Sequence, residues 1–424
     1  MKFNITTNSE IMVNFFVNNN SMKHLSSTPS PFISTIYADI EAAYKWVESE
    51  KEQKGANFYN LSMSKIKLES EVPMPKSIPS GKYIGENIFA HVKKTSIFKS
   101  IYMLDILGKK INIYMTFEKK ELSKKWKEPN IQKINTYIEN MAIWLHIASK
   151  YTTLTCAPTL DVFIYLSSLE KRVPDLDEEV ISAIHVNTGV TSSCPITNAE
   201  IVVYRHEEWF KVFIHESYHS LGLDFSSMQV SGSESKLRET FYIPTPILLF
   251  EAYTEFWARV MNVLIFSFRL TTTNKDEFEK YATFMLDYER VNSLFQMVKV
   301  LDHMNLEYSD LHTDATLLTR YKENTNVFVY YVITSILLSN YPMFLKWCGD
   351  NNSKLLQFEQ TEENQIAFCT YIQSQFNDKE FVSCINHSKR LLVKTIASSE
   401  KYPESNNIKF ILNTLRMSLH EVCV

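Results

Sequence analysis

Two histidines four residues apart bracket a glutamate in the run His215-Glu216-Ser217-Tyr218-His219. On a helix, residues i and i+4 stand one above the other, so both imidazoles can reach one metal ion. Glu216 then lies beside them, placed to act on a metal-activated water. H-E-x-x-H is short enough to arise by chance, so its surroundings must carry the argument.

Along a helix from residue 207 to 221, Phe210, Phe213, Ile214, Ser217 and Leu221 gather roughly opposite the histidines. The helix would bury this apolar back and turn its histidines elsewhere. Gly222 suits the left-handed position just past the helix end. Glu207 and Glu208 suit the positive end of the helix dipole.

A hydrolytic zinc site needs three protein ligands and an open position. The short metzincin arrangement requires a ligand six residues after His219, where Phe225 stands; Asp224 falls one short. Cys194, in Ser193-Cys194-Pro195, would be the third ligand of a deformylase-like hydrolase, although that family's glycine context is absent. Glu251 is the remaining candidate.

Thr245-Pro246 predicts a helix start, with Thr as the cap and Pro at the first helical position. The following run, Ile247 to Arg259, is apolar on most sides. Glu251, Glu255, Arg259 and Asn262 form its single polar stripe. So wide an apolar arc implies burial, and two buried carboxylates need a cation or strong donors. Zinc on Glu251, with Glu255 orienting a ligand histidine, meets that need. A solvated face carrying a Glu255–Arg259 ion pair is the plainer alternative.

The pentapeptide, followed 32 residues after His219 by Glu251-Ala252-Tyr253-Thr254-Glu255-Phe256-Trp257-Ala258, resembles the gluzincin pattern of zinc metallopeptidases. The match spans residues 215–258 and points to a clan, not to one enzyme. The resemblance implies that His215, His219 and Glu251 bind Zn2+ and that Glu255 supports them. It also implies peptide-bond hydrolysis, with Glu216 passing the water's proton to the leaving amine. Tyr330, Tyr331 and His312 are candidate donors to the developing oxyanion, each with ordinary packing as the competing explanation. The chain lacks the glycine-rich exopeptidase motif of the aminopeptidase branch, and its gap is longer than in thermolysin-like enzymes. Both departures leave the peptide or protein substrate open. The Lys-, Asn- and Ile-rich, glycine-poor style also resembles proteins of large DNA viruses. A reading of another class therefore stands beside the enzyme: a zincin-fold structural or interaction protein without turnover, such as a virion component.

These residues need a scaffold, and the pattern along the chain predicts an α+β protein with a zincin-like catalytic domain. Residues 1–125 read as an N-terminal α+β region, 126–350 as the catalytic domain and 351–424 as a helical region. The first thirty residues, rich in Asn, Ser and Thr, read as poorly ordered. Residues 38–52 look helical, and 97–106 with 111–117 read as a β-hairpin around Gly108. Residues 130–149 have helical periodicity. Strands are predicted at 160–167, 182–186 and 200–204, the second running into Asn187-Thr188-Gly189 as an edge for an extended substrate. The motif helix follows, and beyond Pro244 the chain reads as mainly helical, with 326–338 one such run.

Composition removes several classes. Of 424 residues, 45% are hydrophobic and 22% charged, as in ordinary globular proteins. A net charge of -4 gives no polyelectrolyte character, so nucleic acid is not an expected partner. No run of 18 uncharged apolar residues appears, so no membrane span is expected, and the N-terminus lacks a signal-peptide pattern. The eight glycines form no G-x-G-x-x-G, no phosphate loop and no nucleophile elbow. Six scattered cysteines without a C-x-x-C pair predict reduced thiols in an intracellular setting.

Overall fold

Six strands build one mixed sheet: β1 (Leu61–Lys65), β2 (Phe98–Ile106), β3 (Lys109–Phe117), β4 (Thr159–Leu166), β5 (Gly189–Thr191) and β6 (Asn198–Val203). Their spatial order is β1-β2-β3-β4-β6-β5. In this computed structural model, residues 5–24, 30–78, 84–122, 128–152, 155–176, 179–271 and 274–421 are described. The β2–β3 hairpin forms as its alternation predicts, with Leu107 and Gly108 at positive φ between the strands. β3, β4 and β6 run parallel, which requires crossovers. Helix Ile131–Ser149 supplies the first of them. The sheet thus takes three strands from before residue 125 and three from after it.

Strand period explains the layers. On one face, Tyr102, Leu104, Ile113, Met115, Val162, Ile164 and Ile201 join an apolar cluster that extends from Met12 to Leu419. On the other, Phe163, Tyr165, Val202 and Tyr204 pack with Ile88, Phe89 and Val92 of helix Glu86–Thr95. The central strands are therefore buried on both faces, as parallel strands usually are. Behind the larger face lie the motif helix (Trp209–Ser220), the acidic helix (Leu249–Thr271) and the long helix Lys275–His303.

Several expectations need correction. The first thirty residues are not uniformly unstructured: Thr7–Asn18 is a helix whose cap, Thr6, accepts from Ser9 N, and whose Met12 and Phe16 are buried. Residues 183–186 form a short helix, so the edge strand begins only at Gly189. The acidic helix starts at Leu249, because Thr245 donates its hydroxyl to Glu323 (2.6 Å) instead of capping. The run 326–338 is a π-helical turn, Phe328–Ile333, followed by an α-helix, Thr334–Ser339.

The cysteines also depart from expectation, since Cys156 and Cys194 form a disulfide with their Cα atoms 4.6 Å apart. Strand pairing brings them together. Thr159 of β4 faces Asn198 of β6, so the segments entering those two strands run side by side. Among the described residues, Cys348, Cys369 and Cys384 are buried and lie outside any disulfide. No single helix among those residues is long and apolar enough to cross a membrane.

Candidate metal centre

Every residue from Trp209 to Ser220 is buried, so the motif helix is a central element and not a surface helix with one apolar side. Phe213 and Ile214 fill the core behind it, as their positions on the helix face require. The helix stops at Gly222, whose φ of 65° lets Leu223 N reach Tyr218 O and Gly222 N reach His219 O. A side chain would be strained in that conformation. The chain then doubles back, and Asp224 returns to the last turn of the helix.

His215, His219 and Glu251 converge. His215 Nε2 lies 3.1 Å from Glu251 Oε2 and 3.2 Å from His219 Nε2; His219 Nε2 is 3.5 Å from that same oxygen. In a tetrahedral zinc site with bonds of about 2.0–2.1 Å, ligand atoms stand about 3.3–3.4 Å apart. The triangle therefore has the size such an ion requires.

Protonation strengthens the fit. His215 Nδ1 faces Glu255 Oε2 at 3.0 Å, and His219 Nδ1 faces Asp224 Oδ2. An ionised carboxylate only accepts, so each Nδ1 carries the N–H. Without a cation, the facing carboxylates raise both imidazoles despite burial, so that Nε2–H can point at Glu251; as neutral ligands the same two Nε2 atoms would turn lone pairs to one point beside that oxygen. A proton or a metal cation between these three atoms relieves their repulsion, and the group could hold a metal ion.

Glu255 is held in turn. Its side chain is 1% exposed and receives Lys211 Nζ on both oxygens, at 3.0 and 3.1 Å, and Arg259 Nε at 2.8 Å. The Glu255–Arg259 pair expected of a solvated face is present, but it lies in the interior. Lys211 also faces Glu208 at 3.8 Å, and Glu208 pairs with Lys171 at 2.7 Å. Burial lowers the Lys171 ammonium to about 8, even with Glu208 beside it. Burial alone would raise the Glu255 carboxyl, yet Lys211 and Arg259 hold it well below the usual range.

Glu216 makes no hydrogen bond or ion pair with the described residues, and it lines a small cavity with His215, Thr188, Gly189 and Tyr330. Burial raises its carboxyl to about 7, against the pull of His215 and His219. Gly189 of β5 is what admits it: a Cβ there would lie 2.7 Å from Glu216 Oε1 and from Val212 Cγ1. The edge strand and the glutamate are thus in contact.

The two tyrosines part company. Tyr330 donates to Glu251 Oε2 at 3.0 Å and meets the His215 ring edge-on, with ring centres 6.1 Å apart. Tyr331 turns away and donates to Leu415 O at 2.7 Å, so the structure does not place it in the site. His312 packs beside Tyr308 and Phe376 and lines a separate cavity of about 150 Å³. Cys194 is no third ligand, because its sulfur is bound to Cys156.

Lys211 is a functional candidate that the motif search passed over, and Asp224 was weighed only as a third ligand and not as a partner of His219. Lys211 stands four residues before His215, on the same helix face, so helical spacing alone could have found it. Asp224 carries no such signal, since its approach depends on the left-handed turn at Gly222.

Compared with protein-family models, with curated proteins and with solved structures, the chain has no match.

Proposed function

We propose that this chain is a zinc-dependent peptidase of the gluzincin type, hydrolysing peptide bonds in an extended peptide or protein substrate. One observation carries the reading: two imidazole Nε2 atoms and one carboxylate oxygen converge at 3.1–3.5 Å beside an unpaired glutamate. His215, His219 and Glu251 would hold the ion; Glu255 and Asp224 would fix the ring orientations. A motif helix packed on a mixed sheet and followed by a helical lobe is the arrangement that a zincin-like catalytic domain implies. When bound, zinc supplies a Lewis acid that acidifies water and polarises a carbonyl.

The remaining chemistry belongs to side chains of this protein. Glu216 accepts a proton from the attacking water and returns it to the leaving amine, so no net proton is consumed by the enzyme. Its lack of a competing partner leaves both oxygens free for that exchange. Tyr330 donates its hydroxyl to the oxyanion that develops on the carbonyl oxygen. The outer edge of β5 (Gly189–Thr191) offers backbone groups to an extended substrate and would lay it alongside Glu216.

The test is cleavage of a diverse peptide library by the whole chain, with and without a chelator, beside Glu216→Gln. Chelator-sensitive cleavage that Glu216→Gln abolishes while retaining zinc supports the proposal. Zinc binding without any cleavage would favour a zincin-fold binding or structural protein instead.

A further inference from the structure

One covalent bond touches the metal centre without belonging to it. The Cys156–Cys194 disulfide packs on Gly222, the residue that ends the motif helix. A Cβ at Gly222 would lie 2.7 Å from Cys156 Sγ and 3.6 Å from Cys194 Sγ. Cys194 N donates to the carbonyl of His219 at 2.9 Å, and Ala157 N donates to Pro195 O at 2.7 Å. Ser193, the neighbour of Cys194, pairs its hydroxyl with Ser226 at 2.6 Å, and Ser226 in turn donates to Asp224. The bond therefore clamps the segment between β5 and β6 against the turn that carries Asp224 to His219.

Two further features set this bond apart from a passive staple. Cys194 and Ala157 both adopt positive φ, 38° and 47°, conformations that non-glycine residues hold only when their surroundings impose them. The bond lies near the surface: Cys156 is buried, but Cys194 is part-exposed in a loop where Ser193 is exposed and Ile196 is 80% exposed. By contrast, Cys348, Cys369 and Cys384 are buried and lie outside any disulfide among the described residues.

We propose that Cys156–Cys194 is a reversible dithiol/disulfide site, opened by a dithiol reductant, whose reduction loosens the His219–Asp224 arm of the metal centre. The inference rests on the metal-centre reading above. In the exchange, one thiolate of the reductant attacks the part-exposed Cys194 side and forms a mixed disulfide, releasing the Cys156 sulfur. The second thiolate closes the reductant's own disulfide and releases Cys194. Two electrons and two protons pass from the dithiol to the cysteines. The hydrogen bonds and ion pairs of His215, Glu251 and Glu255 among the described residues do not involve the clamp, so the ligand set weakens at one corner without dissolving. Outer partners of metal ligands typically change affinity by about 10–100-fold, and a loss near tenfold is expected here.

The experiment uses the full chain and added zinc, with a phosphine as reductant because dithiols bind zinc themselves. The phosphine becomes its oxide, with water supplying the oxygen and both thiol protons. Alkylation under native conditions should count two new thiols, and competition against a chromophoric chelator should show zinc held about tenfold more weakly. The Cys156→Ser/Cys194→Ser double variant should show the weaker affinity with or without phosphine. Hydrogen exchange in 189–198 and 215–224 should accelerate on reduction; this holds even if the oxidised protein takes no zinc, an outcome that would overturn the metal reading alone. Identical zinc affinity and identical exchange in both redox states would overturn the proposal, as would a bond that opens only in denaturant.

Discussion

Lys211 Nζ donates to both carboxylate oxygens of Glu255 from one helical turn before His215, whose Nδ1 leans on the same carboxylate. An ammonium thereby fixes the group that fixes a proposed metal ligand. Lys211→Met should lower zinc affinity by about 10–100-fold, the usual cost of disturbing such a partner. It should also reduce stability, though by less than the about 3–5 kcal/mol of a broken isolated buried pair, because Arg259 still faces Glu255. Zinc competition and urea denaturation measure the two effects; unchanged zinc affinity would show that Lys211 serves stability alone.

Asp224 plays the corresponding part for His219, and Ser226 and Thr254 hold its carboxylate in place. Asp224→Asn keeps the shape but gives up the charge, so the imidazole is less firmly held as the Nδ1–H tautomer. Zinc affinity should fall about tenfold or more, with Glu251 and His215 still bound. Isothermal titration of zinc into the metal-free variant checks this. An affinity equal to that of the unmutated chain would remove Asp224 from the site.

Gly189→Ala tests the contact between the edge strand and Glu216. The added methyl would meet Val212 Cγ1 as well as the glutamate, so one of them must move. Overpacking of this kind costs about 1–3 kcal/mol. The expected result is a lowered kcat with zinc content unchanged, since the atoms nearest the new methyl belong to Glu216 and Val212. Equal kcat would show that the position of Glu216 against β5 does not matter to turnover.

The pH dependence of stability should carry the mark of Lys299. This lysine is 5% exposed and donates to Ile411 O at 2.8 Å and to Thr414 O, with burial lowering its ammonium to about 7. Below pH 7 the folded chain bears the full cost of a buried charge. Between pH 7 and the ordinary lysine range the unfolded chain binds the extra proton, so stability rises with pH there. Lys299→Met removes this dependence. Its stability relative to the unmutated chain should be highest near pH 6 and fall towards pH 10 by a few kcal/mol, at about 1.4 kcal/mol per unit. Denaturant midpoints across that range check it; a constant difference would contradict it.

What could be read from sequence was mainly what helical and strand periods control. The i, i+4 spacing placed His215 and His219 on one face, and the broad apolar arc around Glu251 and Glu255 signalled a buried acidic helix. Strand alternation found the β2–β3 hairpin. Contacts made by tertiary neighbours were hidden. The disulfide needed the β4–β6 register before Cys156 and Cys194 could be seen as adjacent. Tyr330 and Tyr331 could not be separated by a 3.6-residue period, because they sit in a π-turn whose wider coil is supported by Thr334 donating to Val329 O. In Thr7–Asn18, polar composition masked the burial of Met12 and Phe16.

The most direct measurement is the zinc content of the purified full chain beside Glu251→Gln and Glu216→Gln, at equal protein concentration after dialysis. The expected result is one zinc per chain in the unmutated protein, the same in Glu216→Gln, and loss in Glu251→Gln. An unmutated chain that holds no zinc, or a Glu251→Gln variant that holds it undiminished, would contradict the assignment of this triangle as a metal centre.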